Sequence, residues 1–289
     1  MIYKFVFAFF RSLSRLPFWV LHRISDFFFV LLYYVIRYRR KVVLTNLAIA
    51  FPNNSLSQNK KFARKFMRHF ADFLIESLKT LSISEKELKK RYIYLNQEVV
   101  QKEIEAGKSL MMVAGHLANW EWLFYYNKIT GVHTWAAYSP LSNPIFDKLM
   151  VANRERYGFK VVPSKKASSA LAKLNEEGTQ FVNCLMADQS PRANYKYRAK
   201  FLGIDVPFFI GPEAYAMKYN LPVFYGRVKK IARSKYTVEV IPITLNPGEK
   251  ESGWIMQEYI RLLEEDIFNA PENYLWSHKR FKHAEKLKI

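Results

Sequence analysis

His116 and Glu121 are the two side chains whose types and spacing best suit acid–base chemistry in this sequence. Both lie in GHLANWE (residues 115–121), directly after the apolar run SLMMVA. A short apolar run of this kind reads as a buried strand, and the residues after it as the start of a helix over 119–129. His116 would then stand at a helix N-terminus, where the dipole disfavours imidazolium. Neutral imidazole is the form a general base needs. Glu121 is expected to hold the other ring nitrogen, fixing the tautomer and stabilising the imidazolium formed during reaction. Gly115 allows a tight exit from the strand and close approach of a ligand to the backbone. With no serine or cysteine beside this pair, the nucleophile would be a substrate hydroxyl. Taken alone, a histidine with an acid five residues on is a weak signal, and the spacing by itself favours a satisfied structural histidine. Zinc fits poorly, because HExxH is missing and no Cys/His cluster supplies a third ligand.

Two more strand ends carry polar residues, DQSPR from residue 188 and SHKRFK from residue 277. Asp188 follows a buried run, so its charge must find a partner or face a cavity. Arg192 and Arg198 either grip a phosphate or are solvated. His278, Lys279 and Arg280 either meet an anionic headgroup or cap the fold and face solvent. Cys184 lies inside the apolar run and reads as a small buried hydrophobe. As the single cysteine it cannot form an internal disulfide, which fits a reducing compartment.

The elements that must position these groups alternate from about residue 90 onward. Strand-like runs at 109–114, 132–138, 159–162, 180–187, 222–228 and 236–242 are separated by helical patterns at 144–157, 168–177, 214–219 and 253–269. A polar loop is expected over 188–200, and FFIGPE reads as loop-like. Such alternation predicts an α/β fold with a mixed, mostly parallel central sheet flanked by helices. Ligands in such sheets bind beyond the carboxyl ends of the strands, where GHLANWE and DQSPR fall. Upstream, KKFARKFMRHFADFLIESLKTL carries Phe62, Phe66, Phe70, Phe73, Leu74 and Leu78 at helical spacing, an apolar stripe with a basic opposite face. His69 in that segment reads as structural.

The first 36 residues are dominated by Phe, Leu, Val, Trp and Tyr. Arg11, Arg15, His22, Arg23 and Asp26 interrupt them, and no small-residue cleavage site follows, against a signal peptide. The uninterrupted run over 27–36 is half of what a span needs, so an interfacial or partly inserted pair of amphipathic helices is expected. RYRRK (37–41) follows, a basic cluster suited to anionic lipid heads. The division expected is a membrane-associating helical segment over 1–41 and a single α/β domain over 42–289. Over the whole chain 45 basic residues face 25 acidic ones, a formal charge of +20, which draws anionic partners. Nucleic acid is disfavoured among them, since the aromatics lie in apolar stripes and no binding module is recognisable.

GHLANWEW resembles the bacterial lipid A late acyltransferases, within the glycerolipid acyltransferases that carry a His–four residues–Asp/Glu motif. The resemblance covers most of the chain and rests on the order of its segments: YRRKVVLTNLAIAFPN, GHLANWE, SNPIFDKLMVANRERYGFKVV with Asn143, Arg154 and Gly158, then MADQSP, VPFFIGPE and PENYLWSHKRFK. It implies a glycerolipid-acyltransferase-like fold with an N-terminal apolar helical anchor. It also implies acyl transfer from acyl carrier protein to a hydroxyl of a lipid A precursor, at the cytoplasmic face of the inner membrane, with no cofactor. His116 would be the base and Glu121 its partner, with Arg154, Asp188, Asn119 and Gly115 around the substrate. The family often has Arg where this sequence has Ser139; backbone amides near Gly115 would then serve the oxyanion. A lysophospholipid or acylated amino-acid lipid as acceptor, a non-catalytic membrane scaffold, and a basic nucleic-acid-binding protein are the competing readings.

Overall fold

The computed structural model describes residues 2–284. The chain opens with α1 (Ile2–Ser14) and α2 (Phe18–Val30), separated at Pro17; α2 continues as a π-helical turn over Leu31–Val35. Together Phe18–Val35 form a helix of 18 residues with mean hydropathy 1.3, long and apolar enough to cross a membrane by length and composition alone. The expected length of uninterrupted apolar chain was shorter because Asp26 interrupts it; Asp26 is neutralised by Arg68 at 2.9 Å and Arg233 at 2.8 Å. Leu21, Ser25 and Phe29 turn inward, while Phe5, Trp19, Phe27 and Val35 are more than half exposed.

After α3 (Arg40–Ala50), a Ser55/Gln58 capping box starts α4 (Leu56–Lys79). Phe66 and Phe73 of its stripe are buried, with Met67 beside them, whereas Leu74 is exposed. The remainder alternates: α5 (Glu85–Arg91), β1 (Tyr92–Leu95), α6 (Glu98–Glu105), β2 (Leu110–Ala114), a 3-10 helix over Trp120–Tyr126, α7 (Asn127–Thr130), β3 (His133–Tyr138), α8 (Pro144–Arg154) and β4 (Lys160–Pro163). Then come α9 (Ala167–Glu176), β5 (Phe181–Met186), the hairpin of β6 (Arg198–Phe201) and β7 (Ile204–Pro207), α10 (Gly211–Tyr219), β8 (Val223–Ala232), β9 (Lys235–Thr244) and α11 (Trp254–Asn269).

Seven strands form one sheet in the order β1-β9-β8-β2-β5-β3-β4. All neighbours are parallel except β8 and β9, which a two-residue connection at Arg233 and Ser234 forces to be antiparallel. The fold is thus α/β with a mixed, mostly parallel sheet flanked by helices. Met111 and Val113 pack on one face of the sheet with Ile255, Tyr259 and Leu263 of α11. Leu110 and Met112 point to the other face, towards Tyr126. Two expectations fail in detail. The loop over 188–200 ends in a strand, and FFIGPE contains the first turn of α10, with Pro212 at a position where its missing N–H costs nothing.

Candidate active site

Strand register assembles the centre of the site. Ala114 of β2 pairs with Met186 of β5, so His116 and Asp188, each two residues further on, leave the sheet side by side. Tyr259 ties the two exits together. Its hydroxyl donates to Ala114 O at 3.0 Å and accepts from Ala187 N at 3.3 Å. His116 Nδ1 lies 2.7 Å from Asp188 Oδ1, and the His116 backbone N–H donates to Asp188 Oδ2 at 3.0 Å. Burial alone would raise the Asp188 pKa, but the charge and hydrogen bonds of His116 hold it below the usual carboxylate value. An ionised Asp188 accepts the Nδ1 proton and leaves the lone pair of the ring on Nε2. Gln189 Nε2 donates to that lone pair at 3.1 Å, where a substrate hydroxyl would otherwise bind.

The carboxylate in contact with His116 is therefore Asp188 and not Glu121. The reason is local. The helix expected over 119–129 is instead a 3-10 helix from Trp120, and Ala118 leads into it with a left-handed backbone (φ 51°). Glu121 consequently turns to Arg154 of α8, which binds it with two parallel bonds, Nη2 to Oε1 at 2.6 Å and Nε to Oε2 at 3.1 Å. Burial opposes the charge of Arg154, but Glu121 more than offsets this and the net shift is upward. Arg154 also lies over the ring of Phe124, 4.8 Å from its centroid.

Asn119 and Gly115 are likewise not where a substrate would meet them. Asn119 is fully buried; its Oδ1 accepts from Trp122 N and its Nδ2 donates to Glu76 Oε2 at 2.7 Å. Gly115 is buried, and a Cβ added there would overlap Leu263 Cδ1, so packing requires the glycine. The backbone amides proposed for an oxyanion are already engaged: His116 N by Asp188, Leu117 N by Gly115 O and Ala118 N by Asn273 O.

His116, Gln189 and Arg154 line a cavity of about 690 Å³ that runs inward over the sheet. Its walls are mostly apolar, with Met112, Ala114, Leu123, Phe124, Phe159 and Val240 among them. Leu141 and Phe209, both exposed, line the same cavity. Among the described residues no cluster of His, Cys, Asp or Glu has the makings of a metal site.

The profile of the family described as "Bacterial lipid A biosynthesis acyltransferase" matches residues 1–283. The chain belongs to that family. It is an acyltransferase, and its acyl acceptor is a lipid. Among solved structures, the acyltransferase is similar to the 1-acyl-sn-glycerophosphate (LPA) acyltransferase of Thermotoga maritima, at 11% identity and a TM-score of 0.39, over 88% of this chain and 96% of that one. Comparison with curated proteins finds no match.

Several residues that the acyltransferase uses to build the site carry weak sequence signals. Leu275 N donates to His116 O, Ser190 N donates to His278 Nε2 at 3.0 Å, and Ser190 Oγ donates to Arg280 O. The segment holding SHKR thus braces both strand exits. Far from facing solvent, Arg280 is 1% exposed and lies over the rings of Phe201 and Phe208. Gln189 and Glu76 were unmarked, since neither belongs to a spaced motif.

Proposed function

We propose that this acyltransferase moves a fatty acyl group from acyl carrier protein to a hydroxyl of a lipid A precursor, with His116 as general base. The observation that carries this reading is the Asp188–His116 pair at the edge of an apolar cavity, with Nε2 free of any acid. The acceptor hydroxyl takes the place of Gln189 and gives its proton to Nε2 as its oxygen attacks the thioester carbonyl carbon. Asp188 stabilises the imidazolium so formed. The tetrahedral intermediate collapses with loss of the C–S bond, and His116 returns the proton to the departing thiolate. General base catalysis of this kind contributes about 10²–10⁴-fold.

Arg154 is the group we assign to the oxyanion, because the nearby backbone amides already have acceptors. Glu121 holds its guanidinium in place, a positioning role. The apolar cavity takes the acyl chain. Residues 1–41 rest on or in the bilayer, where exposed Phe5, Trp19 and Phe27 meet acyl chains and RYRRK meets anionic headgroups. The acceptor would come from that side, at the cytoplasmic face of the inner membrane, and the net positive charge suits an acidic carrier.

The test is transfer from acyl carrier protein loaded with a labelled chain, with a lipid A precursor and a lysophospholipid offered separately to the protein in detergent. Mass-resolved transfer to the lipid A precursor, lost at least a hundredfold in His116→Ala, supports the reading. Preference for the lysophospholipid refutes the acceptor, and transfer that survives His116→Ala refutes the base.

A further inference from the structure

The cavity has a polar floor that the transfer chemistry does not use. Tyr94 and Tyr126 both line it, and their rings stack with centroids 5.2 Å apart. Both hydroxyls are shielded from solvent, and neither has a hydrogen-bond partner among the described residues. Tyr126 is only 2% exposed. Burial holds both phenols protonated, so each retains a donor as well as acceptor capacity. Near them the lining includes Met112 and Cys184, which are register partners in β2 and β5. The Cys184 thiol is kept neutral by burial.

The route from the reacting end to this floor is open and apolar. Gly226 of β8 has its missing side chain on the cavity face: an added Cβ would lie 3.5 Å from Met112 Sδ and 3.9 Å from Ala114 Cβ. A larger residue there would narrow the passage between His116 and the two phenols. Met112 stands four residues before His116, at most about 13 Å along the chain, because β2 ends at Ala114 and the chain then turns. An extended alkyl chain advances about 1.25 Å per carbon–carbon bond, so that depth corresponds to no more than roughly ten carbons.

An unsubstituted chain reaching this depth would leave two buried phenols without partners, and unpaired buried polar groups are what binding sites discriminate against most strongly. We infer that the acyl group transferred here carries an oxygen function, a hydroxyl or an oxo group, well down the chain from the thioester, and that Tyr94 and Tyr126 are its hydrogen-bond partners. This rests on the proposed use of the cavity for the acyl chain. It names the chemical class of that chain, which nothing in the His116–Asp188 geometry does.

The experiment compares acyl carrier protein loaded with a plain chain and with the same chain hydroxylated at positions scanned along its length. Wild type and Tyr94→Phe/Tyr126→Phe, which keeps both rings, are run in parallel. The expected result is a kcat/KM about tenfold higher for a chain hydroxylated near its tenth carbon, with that preference abolished in the double variant. A second arm measures displacement of a fluorescent fatty acid by the free plain and hydroxylated acids, and needs no turnover. Equal kcat/KM and equal displacement in wild type would mean that water alone serves the phenols, and the inference would fall. A preference that persists in the double variant would overturn it too. If neither donor is turned over, the proposal of acyl carrier protein as the donor fails, and displacement decides the inference by itself: about tenfold tighter binding of the hydroxylated acid, lost in the variant, upholds it, and equal binding overturns it.

Discussion

Asp188→Asn separates the two carboxylates that compete for the role of partner to His116. Asp188 accepts two bonds from the same residue, from Nδ1 at 2.7 Å and from the backbone N–H at 3.0 Å. An amide of the same shape has one oxygen and one NH₂. With its oxygen towards Nδ1, the NH₂ faces the His116 backbone N–H, donor against donor. With the amide turned over, the NH₂ faces Nδ1 and requires a lone pair there, which moves the ring proton to Nε2 and removes the base. Both orientations also lose the negative charge that offsets the imidazolium. A charge-assisted bond contributes about 1.5–3 kcal/mol, and the wrong tautomer adds to this. The expected total is about 3–5 kcal/mol in the barrier, a fall in kcat of about 10²–10⁴-fold. The assay is kcat for labelled acyl transfer at saturating donor and acceptor, with circular dichroism melting to show that the fold persists. A loss below about fivefold in Asp188→Asn, roughly 1 kcal/mol, alongside a hundredfold loss in Glu121→Gln, would mean that Glu121 serves His116 during turnover, and the reasoning would fail.

Glu121→Gln keeps an acceptor for Arg154 and should cost about tenfold in kcat, whereas Glu121→Ala leaves a buried cation unpaired and should destabilise by about 3–5 kcal/mol in denaturant titration. Gly115→Ala drives a methyl into Leu263 and should lower stability by about 1–3 kcal/mol in the same titration. His69 is held neutral, with its pKa pushed down to about 3 by burial and then by Lys230. The unfolded chain takes up this proton near the ordinary value and the folded chain does not, so its contribution is intact above about 6.5 and is lost as pH falls from there towards 3. That loss is at most about 5 kcal/mol, and His69→Gln should flatten the acid side of the melting-temperature profile. Trp19→Glu/Phe27→Glu should reduce cosedimentation with anionic vesicles by at least about tenfold while leaving the melting temperature nearly unchanged, because both side chains are exposed.

The strands with long apolar runs, such as β2 and β5, were legible because burial on both faces leaves a continuous hydrophobic signature. Tyr92–Leu95 was not, since a four-residue strand with alternating burial is too short to stand out from its neighbours. In the site, both His116 and Asp188 were marked as residues ending strands, yet Glu121 was expected to be the partner. Five residues of separation are visible in a sequence, whereas the contact actually made spans 72 and depends on how two strands are registered. The same blindness hid Arg280. In His278-Lys279-Arg280 it reads as one of a solvated run, but Ser190 Oγ donates to its carbonyl and its own guanidinium donates to Pro207 O.

The strand register that joins His116 to Asp188 also sets a timetable for synthesis. When the ribosome has made the apolar helices and β2, the base is present without its counter-charge. Only after β5 has emerged and docked beside β2 does the imidazole acquire a fixed tautomer, and the brace around Leu275 and His278 arrives later still. A nascent chain could therefore settle on a lipid surface well before it is able to catalyse anything there. Chains interrupted between residues 188 and 275 would hold both members of the pair and still lack the segment that fixes them, so truncation products should be inert rather than indiscriminate.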